Sequence, residues 1–284
     1  MQLPSRALVL GERTLLMGVL NVTPDSFSDG GKYLDSEAAV AHALEIERDG
    51  ADILDIGGES TRPGAAPVTV EEELRRILPV FQGLRNKLRI PISVDTRRSD
   101  VAEAALAAGA EIINDVSALR MDPRMAEVAC RARSPLILMH MRGTPQTMQR
   151  GPFARDVIRD VTAGLRGAAA RARRAGVRKT QLLLDPGIGF GKKHEQNFEI
   201  LARLPEFARL GCPIVIGTSR KAFLGKALAR PGEKPAPPEE RTLGTAATVT
   251  ASILGGAHIV RVHDVAAMVR VVRVADSVVS AGQS

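Results

Sequence analysis

The chain has 284 residues, a length that suits one large domain or two small ones and that α/β barrels commonly fill as a single unit. Its net charge of +7, from 39 basic and 32 acidic side chains, fits nucleic acid, an acidic surface or a small anionic substrate. Nucleic acid is the weakest of these, because the chain has no Trp, one Tyr and seven Phe, and no basic run with interleaved aromatic residues that could stack on bases.

The cysteines and the apolar runs indicate the cellular compartment of the protein. Cys130 and Cys212 lie far apart and form no C-x-x-C motif, so the pattern predicts neither a disulfide framework nor a zinc site. Residues 1–13 lack the apolar core of a signal peptide, and no run approaches the roughly 18 apolar residues of a membrane span. We therefore expect a cytoplasmic protein with no membrane partner.

Short apolar runs alternate with amphipathic, often alanine-rich segments along the whole chain. A short apolar run closed by Gly or Pro is typical of a strand buried on both faces of a parallel sheet. The predicted strands cover residues 14–21, 53–57, 90–95, 112–115, 136–140, 182–185, 214–217 and 258–262. The predicted helices cover residues 36–49, 70–88, 99–108, 123–133, 153–175, 195–210, 239–254 and 263–279.

Eight successive β/α units predict an α/β fold, a (β/α)8 TIM barrel, in a single domain over residues 1–284. A doubly wound open sheet is the alternative, because strand order cannot be read from a sequence. Residues 1–13 are predicted to be an N-terminal extension. Residues 230–240 are rich in Pro and polar side chains, so we expect them to form a mobile insertion.

Polar side chains follow most of the predicted strands at the point where each strand ends. In a barrel these ends meet at one mouth, where the active sites of this fold lie. Carboxylates and an amide suit a flat heterocycle with several N–H groups, and cations suit an anion. Any one of these residues could instead be a cap or turn residue, and His140 could be a satisfied core histidine. The set comprises Asn21, Asp95, Asn114, Asp115, His140, Asp185, Ser219, Lys221, Arg261 and His263.

Asp185 stands between an apolar run and a glycine-rich turn at residues 187–191. An unpaired buried carboxylate costs several kcal/mol, so this side chain should meet a ligand, a metal or hydrogen-bond donors. The alternative is that Asp185 caps the helix that follows. The glycine spacing differs from that of a dinucleotide-binding loop and is weak evidence for a nicotinamide cofactor.

Six motifs carry most of these polar residues. They are NVTPDSFSDGG at 21–31, GGESTRPG at 57–64, SVDT at 93–96, DPGIGFGK at 185–192, SRK at 219–221 and RVHDV at 261–265. Their order and spacing, over nearly the whole chain, resemble those of the dihydropteroate synthase family. Members of that family are (β/α)8 barrels that join a dihydropterin diphosphate to p-aminobenzoate in folate biosynthesis, the step that sulfonamides block. The resemblance implies a transferase that forms a C–N bond.

The resemblance also implies a role for each motif residue. The implied pterin pocket comprises Asp95, Asn114, Met139, Asp185, Gly217, Lys221 and Arg261. The implied diphosphate site comprises Asn21, Thr61, Arg261 and His263. The implied p-aminobenzoate site comprises Thr61, Pro63, Phe190, Ser219 and Lys221, with Phe27 and Arg62 on two lid loops. The residues implied in the catalytic step are Asp95, Asp185, Lys221 and Arg62.

Mg²⁺ is the implied cofactor, with Asn21 as its matching ligand, and the implied assembly is a homodimer. Diphosphate leaves readily when Mg²⁺ and cationic side chains take up its charge. The two carboxylates, Asp95 and Asp185, would stabilise the pterin cation that remains. A weak arylamine can then attack without a strong base, and the competing interpretation makes His140 or His263 a general base.

Two other functions stay open at this point. One is a pterin-dependent methyltransferase on the same barrel, which would share the acids and the Asn of the pterin pocket. The motif residues 23–27 and 219–221 argue against it. The other is a catalytically inactive paralogue that only binds pterin. Such a protein should have lost lid or lysine residues, and this chain keeps both.

Overall fold

A computed structural model of the chain describes residues 1–23, 32–61 and 64–282, with the backbone alone described at 32–35. Within these residues, eight parallel strands alternate with helices. The strands are β1 (Leu15–Asn21), β2 (Ile53–Gly57), β3 (Ile92–Asp95), β4 (Ile112–Asp115), β5 (Leu136–Met139), β6 (Leu182–Asp185), β7 (Val215–Ile216) and β8 (Ile259–Val262).

The eight strands close into a barrel. Their hydrogen-bonded order is β6-β5-β4-β3-β2-β1-β8-β7. The two outer strands meet through a parallel bridge between Leu184 and Ile214, and the Leu184 N–H donates to the Pro213 carbonyl oxygen at 2.9 Å. The predicted (β/α)8 barrel is therefore confirmed, and the open doubly wound sheet is excluded.

The described helices surround the barrel and differ from the prediction at two places. The helix at Ala222–Leu228, which we number α7, was not predicted, because seven residues cover only about two turns and show little periodicity. The helix predicted over residues 195–210 is split, since Pro205 has no N–H to continue it and residues 204–210 form a 3₁₀ helix. The helices are α1 (Lys32–Arg48), α2 (Val70–Leu84), α3 (Ser99–Ala107), α4 (Met125–Ala132), α5 (Val157–Arg174), α6 (His194–Ala202), α7 (Ala222–Leu228), α8 (Thr242–Leu254) and α9 (Val265–Ala281).

The two segments outside the β/α repeat make defined contacts. Near the N-terminus, Gln2 pairs with Ala7 in an antiparallel bridge, and Leu3 is 1% exposed. In the Pro-rich segment, the Ala236 N–H donates to the Gly225 carbonyl oxygen at 3.0 Å and so joins the segment to α7. The mobility expected of residues 230–240 stays a prediction.

An apolar layer fills the end of the barrel where the strands begin. Inward-facing side chains from seven strands form one cluster, which we call the base, and Leu3 of the N-terminal segment packs into it. Side chains that alternate along each strand account for this layer, because every second residue points into a barrel. The base comprises Leu3, Leu15, Met17, Ile53, Ile112, Ile137, Leu183, Val215 and Ile259.

Candidate active site

Polar side chains occupy the next inward-facing layer, which we call the mouth. Two positions after a base residue, the side chain again points into the barrel, and it lies one layer nearer the end of the strand. Ile53 is followed in this way by Asp55, and Leu183 is followed by Asp185. The mouth residues related in this way to a base residue are Asp55, Asn114, Met139, Asp185, Gly217 and Arg261. Asp95, which pairs in register with Asn114, completes the mouth.

Arg261 links the strands of the mouth through two carboxylates. Its Nε donates to Asp55 Oδ2 at 2.6 Å, and its Nη2 donates to Asp95 Oδ2 at 2.8 Å. Asn114 completes the group, since its Nδ2 donates to the same Asp55 oxygen at 3.0 Å. Gly217 lies beside the stem of Arg261, where an added Cβ would stand 3.7 Å from the Arg261 Cβ. The mouth thus presents a flat cation flanked by hydrogen-bonding groups.

Asp55 is a residue of the mouth that the sequence reasoning missed. It is fully buried, and its Oδ1 has no hydrogen-bond partner within the described residues. The signal that could have found it is the one that drew attention to Asp185, namely a carboxylate in an otherwise apolar strand. A buried carboxylate oxygen without a donor is an acceptor available to a ligand.

Burial sets the ionisation of the acidic groups. Desolvation raises the pKa of Asp95 to about 7, although the Arg261 guanidinium opposes the shift. Desolvation likewise raises the pKa of Asp185, against the charge of Lys221. It disfavours the charge of Arg261, but the two partner carboxylates outweigh it and raise the pKa of that guanidinium. The carboxylates of the mouth can therefore exchange their bonds to Arg261 for bonds to the donors of a ligand.

The turn that follows β6 brings Asp185, Phe190 and Lys221 together. The Gly187 N–H donates to Asp185 Oδ1 at 2.6 Å, and Lys221 Nζ donates to the Ile188 carbonyl oxygen. Lys221 Nζ also lies 4.4 Å from the centroid of the Phe190 ring, which is a cation–π distance. Desolvation lowers the pKa of Lys221 to about 8, opposed by the Asp185 carboxylate.

Glycine is required at position 187 of this turn. Gly187 has a φ of 69°, and an added Cβ would stand 1.9 Å from the carbonyl oxygen of His140. The turn therefore lies directly against the end of β5. The glycines of the motif permit this close approach of two backbones.

His140 lies behind the mouth rather than in it. Gly164 of α5 lies against its ring, its Nε2 stands 3.5 Å from Asp160 Oδ2, and its Nδ1 stands 3.2 Å from the ammonium of Lys192. Desolvation, together with that ammonium, lowers the pKa of His140 to about 2. A neutral, enclosed imidazole of this kind has neither the position nor the basicity to accept a proton from a substrate in the mouth.

A second polar pair stands at the ends of β7 and β8. The His263 N–H donates to Ser219 Oγ at 3.1 Å, and His263 Nδ1 lies 3.0 Å from the same hydroxyl. Beside it, Arg220 pairs with Asp264, its Nε 2.9 Å from Oδ2. Ser219 and His263 thus contact each other where the chain leaves β7 and β8.

An apolar wall lines the side of the mouth formed by β4, β5 and the turn after β6. Val116, Met139, Met141 and Met148 form one buried cluster, and the partly buried Phe190 packs against it. Met139 pairs in register with Asp185 on the neighbouring strand. The wall therefore offers an apolar surface next to hydrogen-bonding groups, the arrangement that suits a small organic ligand.

Of the remaining predicted residues, Asn21 and Thr61 lie at the rim of the mouth. Asn21 ends β1 and pairs in register with Gly57, which in turn pairs with Asp95. Thr61 is half-buried in the loop after β2. Phe27, Arg62 and Pro63 lie outside the described residues, so the structure does not place the implied lids.

A buried ion-pair network supports the loop after β2. The Glu59 carboxylate accepts from Arg97 Nε at 2.8 Å, from Arg98 Nη1 at 3.1 Å and from the Val68 N–H at 3.2 Å. It therefore joins the two ends of the loop to each other and to the start of α3. Sequence reasoning missed this network, because the partners are distant in sequence and look like ordinary surface charges.

The fit of a magnesium ion can be judged from the available donors. Among the described residues, no group of three or more His, Cys, Asp or Glu side chains could hold a metal. Mg²⁺ prefers oxygen ligands and often takes most of them from water and substrate phosphates. The amide oxygen of Asn21, at the rim, is compatible with an ion bound mainly by a substrate's diphosphate.

The length and the apolar character of the helices decide whether any of them could cross a membrane. Among the residues that the structure describes, no helix combines the length and the apolar character needed to cross a bilayer.

Comparison with known proteins places these features in one family. Residues 17–263 match the sequence model of the family described as pterin binding enzyme. A dihydropteroate synthase of Synechocystis sp. is 49% identical over 267 residues, which are 94% of this chain and 91% of that protein. A crystal structure of dihydropteroate synthase from Clostridium difficile in the presence of pteroic acid gives a TM-score of 0.89 at 43% identity, covering 96% of this chain and 99% of that one. A Yersinia pestis dihydropteroate synthase in complex with a sulfonamide drug gives a TM-score of 0.90 at 39% identity, covering 99% of both chains.

Proposed function

Since this chain belongs to the pterin-binding enzyme family, among its dihydropteroate synthases, we propose how the residues of the mouth carry out that reaction. The reaction joins (7,8-dihydropterin-6-yl)methyl diphosphate to p-aminobenzoate. A C–N bond forms at the pterin methylene carbon, the C–O bond to the diphosphate breaks, and the amine gives up one proton. The methyltransferase and the inactive paralogue are not needed to account for the matches.

The observation that carries the assignment of the pterin pocket is the convergence of Asp95, Asn114 and Asp185 with Arg261 and Lys221. The carboxylates and the Asn114 oxygen accept hydrogen bonds from the N–H groups of the pterin, and Lys221 donates to its acceptors. Met139 and Gly217 give the ring an apolar floor, and the planar guanidinium of Arg261 stacks on it. Asp55 keeps Arg261 oriented through its 2.6 Å bond to Nε.

The diphosphate lies at the rim, between Asn21 and the Ser219–His263 edge. Arg261 and His263 supply N–H donors and positive charge for it, and Thr61 supplies a hydroxyl. Asn21 would hold Mg²⁺ through its amide oxygen. When bound, this ion neutralises charge on the leaving diphosphate.

The acceptor occupies the space between the apolar wall and Lys221. Phe190 packs against the ring of p-aminobenzoate, and Ser219 and Lys221 bind its carboxylate, with Thr61 on the other side. The contact that the resemblance implies for Pro63 lies outside the described residues. Sulfonamides share an aniline ring with this substrate and compete for the same space. The resemblance implies that Phe27 and Arg62, which lie outside the described residues, belong to lids that exclude water from the reacting carbon.

The chemistry is dissociative. As the diphosphate departs, the pterin methylene becomes a delocalised cation, and the carboxylates of Asp95 and Asp185 stabilise it electrostatically. The arylamine nitrogen then attacks without help from a strong base. The enclosed, neutral state of His140 agrees with this scheme, because it removes one of the two candidate bases.

The assembly is a homodimer, for which an exposed apolar face on α7 and α8 is the support. Leu243 is 80% exposed and Leu228 is 43% exposed, and Leu228 reaches Gly244, the residue next to Leu243. Adjoining exposed apolar side chains mark interaction surfaces. Sedimentation of the wild-type protein should give a dimer, and Leu243→Arg should shift it towards the monomer. We place the enzyme in the cytoplasm, where the free cysteines Cys130 and Cys212 stay reduced.

The test of the function is product formation by the purified chain. With Mg²⁺ and dihydropterin diphosphate, adding p-aminobenzoate should yield 7,8-dihydropteroate and an equal amount of diphosphate. Lys221→Met is the control, and it should reduce turnover because it removes the cation that faces both substrates. The absence of dihydropteroate under saturating substrates would contradict the assignment.

A further inference from the structure

We propose that Lys192, buried behind the mouth, is a positioning residue that fixes the turn 187–190 and thereby frees Lys221 to bind substrate. The inference rests on the proposed function only for the second part, the role of Lys221. Lys192 is the last residue of the DPGIGFGK motif and is only 4% exposed. The proposed function gives it no contact with a substrate.

The ammonium of Lys192 is saturated by backbone of the turn and of β5. Its Nζ lies 2.7 Å from the Gly187 carbonyl oxygen and 3.0 Å from that of Phe190. The third N–H is shared between the carbonyl oxygen of His140, at 3.3 Å, and its Nδ1, at 3.2 Å. Since an ammonium has three donors, each one is used. The side chain therefore joins both ends of the turn to the neighbouring strand.

Lys221 contacts the same turn from the opposite side. Its Nζ donates to the carbonyl oxygen of Ile188, which lies between the two carbonyls bound by Lys192. The turn is thus held by two ammonium groups, one in the mouth and one behind it. When Lys221 turns to a substrate, the Ile188 carbonyl loses its donor, and the contacts made by Lys192 remain.

The position of the turn matters because two substrate-facing groups depend on it. Asp185 is oriented by the Gly187 N–H at 2.6 Å, and the ring of Phe190 extends from the turn into the apolar wall. If the turn moves, both the pterin-binding carboxylate and the acceptor-binding ring move with it. Lys192 therefore acts on both substrates without touching either.

The charge of Lys192 also faces Asp185. Burial lowers the pKa of Lys192 to about 7, and the Asp185 carboxylate opposes the shift. The other charged groups that act on this ammonium are Lys221, Asp160 and Arg120. Within the part of the chain that the structure describes, the groups that Lys192 hydrogen-bonds are neutral, and none of them is a carboxylate. Its proposed role therefore rests on its hydrogen bonds to the backbone carbonyls.

Amide hydrogen exchange tests the mechanical part on the unliganded protein, without reference to activity. The amides of Gly187, Gly189 and Phe190 all donate within or next to the turn, so their exchange reports its opening. Lys192→Met removes the three donors at similar side-chain length and should speed exchange at least about tenfold, the effect of losing about one net hydrogen bond. Lys193→Met, the same change at the exposed neighbouring position, and Lys221→Met should each change exchange by less than about threefold.

Kinetics on the folded variants separate positioning from bulk stability. Lys192→Met should raise KM for p-aminobenzoate and weaken pterin binding, each by about tenfold, with a smaller change in kcat. A purely structural role would lower the melting temperature and leave both binding constants unchanged at 15 to 20 °C, roughly 30 °C below a typical mesophilic midpoint. If Lys192→Met does not fold, Lys192→Gln, which keeps two donors, should show the same changes at reduced size.

Two results would overturn the proposal. One is exchange in Lys192→Met or Lys192→Gln that matches the wild type. The other is exchange in Lys221→Met that is accelerated as much as in the Lys192 variant, because the turn would then depend equally on both lysines. Neither result bears on whether the chain makes dihydropteroate, so a failure here is distinguishable from a failure of the proposed function.

Discussion

The base and the mouth of the barrel are built from the same strands and differ by one step of two residues. In β6, Leu183 points into the apolar base and Asp185 points into the mouth. In β8, Ile259 lies in the base and Arg261 bridges two carboxylates in the mouth. The comparison teaches that stability and ligand binding are separated along each strand rather than assigned to different elements.

The two layers have opposite effects on the stability of the free protein. The base buries apolar side chains that stabilise the fold at about 25 cal/mol per Å² removed from water. The mouth buries a group that folding leaves unsatisfied: within the described residues, Asp55 Oδ1 has no hydrogen-bond partner. Such groups destabilise the free protein and become favourable when a ligand supplies the missing partners.

Asp185→Ala sharpens the comparison most strongly. It should weaken pterin binding by roughly 3–5 kcal/mol, on the order of 10²–10⁴-fold, because ligand donors lose a buried acceptor. The fold should stay intact, since desolvation already disfavours the Asp185 charge. Calorimetric titration with the pterin measures the effect. Asp185→Asn keeps an acceptor for the Gly187 N–H and should fall between the wild type and the alanine variant.

Leu183→Ala is the matched change in the base, two residues earlier on the same strand. It should lower the free energy of unfolding by about 2–5 kcal/mol through lost apolar contacts and a cavity. Pterin affinity of the folded protein should change by less than about threefold, because the residue lies one layer below the ligand. Chemical denaturation measures the free energy of unfolding, and calorimetry measures the pterin affinity. A large loss of affinity with little loss of stability would break the separation of the two layers.

The pH dependence should have opposite signs for activity and for stability. Lys221 is charged below its pKa of about 8, so kcat/KM should fall above that pH, by about tenfold per unit. Its contribution to stability runs the other way. Because the folded pKa lies below the ordinary 10.5, this contribution is present above pH 10.5 and is lost as pH falls through about 8. Lys221→Arg should remove the alkaline fall in kcat/KM; its persistence would point to another group.

The sequence predicted the barrel and most of the mouth for physical reasons. Buried parallel strands are apolar throughout, so the polar residue that ends each one stands out, as Asp185 does after Leu182–Leu184. The residues it missed lacked that contrast. Asp55 lies inside a strand rather than at its end, and Lys192 follows a glycine-rich loop in which a lysine usually faces solvent.

The pairings within the mouth could not be predicted from sequence. Arg261 contacts Asp55 and Asp95, on the second and third strands, only because β8 pairs with β1 and so stands close to β2 and β3. Strand order and closure are properties of the whole barrel. Local patterns contain no information about which of several carboxylates a distant arginine will contact.

The most direct test is a crystal structure of the chain with the dihydropterin diphosphate. The account predicts the pterin ring in the mouth, with its N–H groups within hydrogen-bonding distance of Asp95, Asn114 and Asp185, and with the base unchanged. It also predicts the Arg261 guanidinium against the ring face and Lys192 still bonded to Gly187 and Phe190. A pterin bound outside the mouth, or bound there without contact to Asp185, would contradict the account.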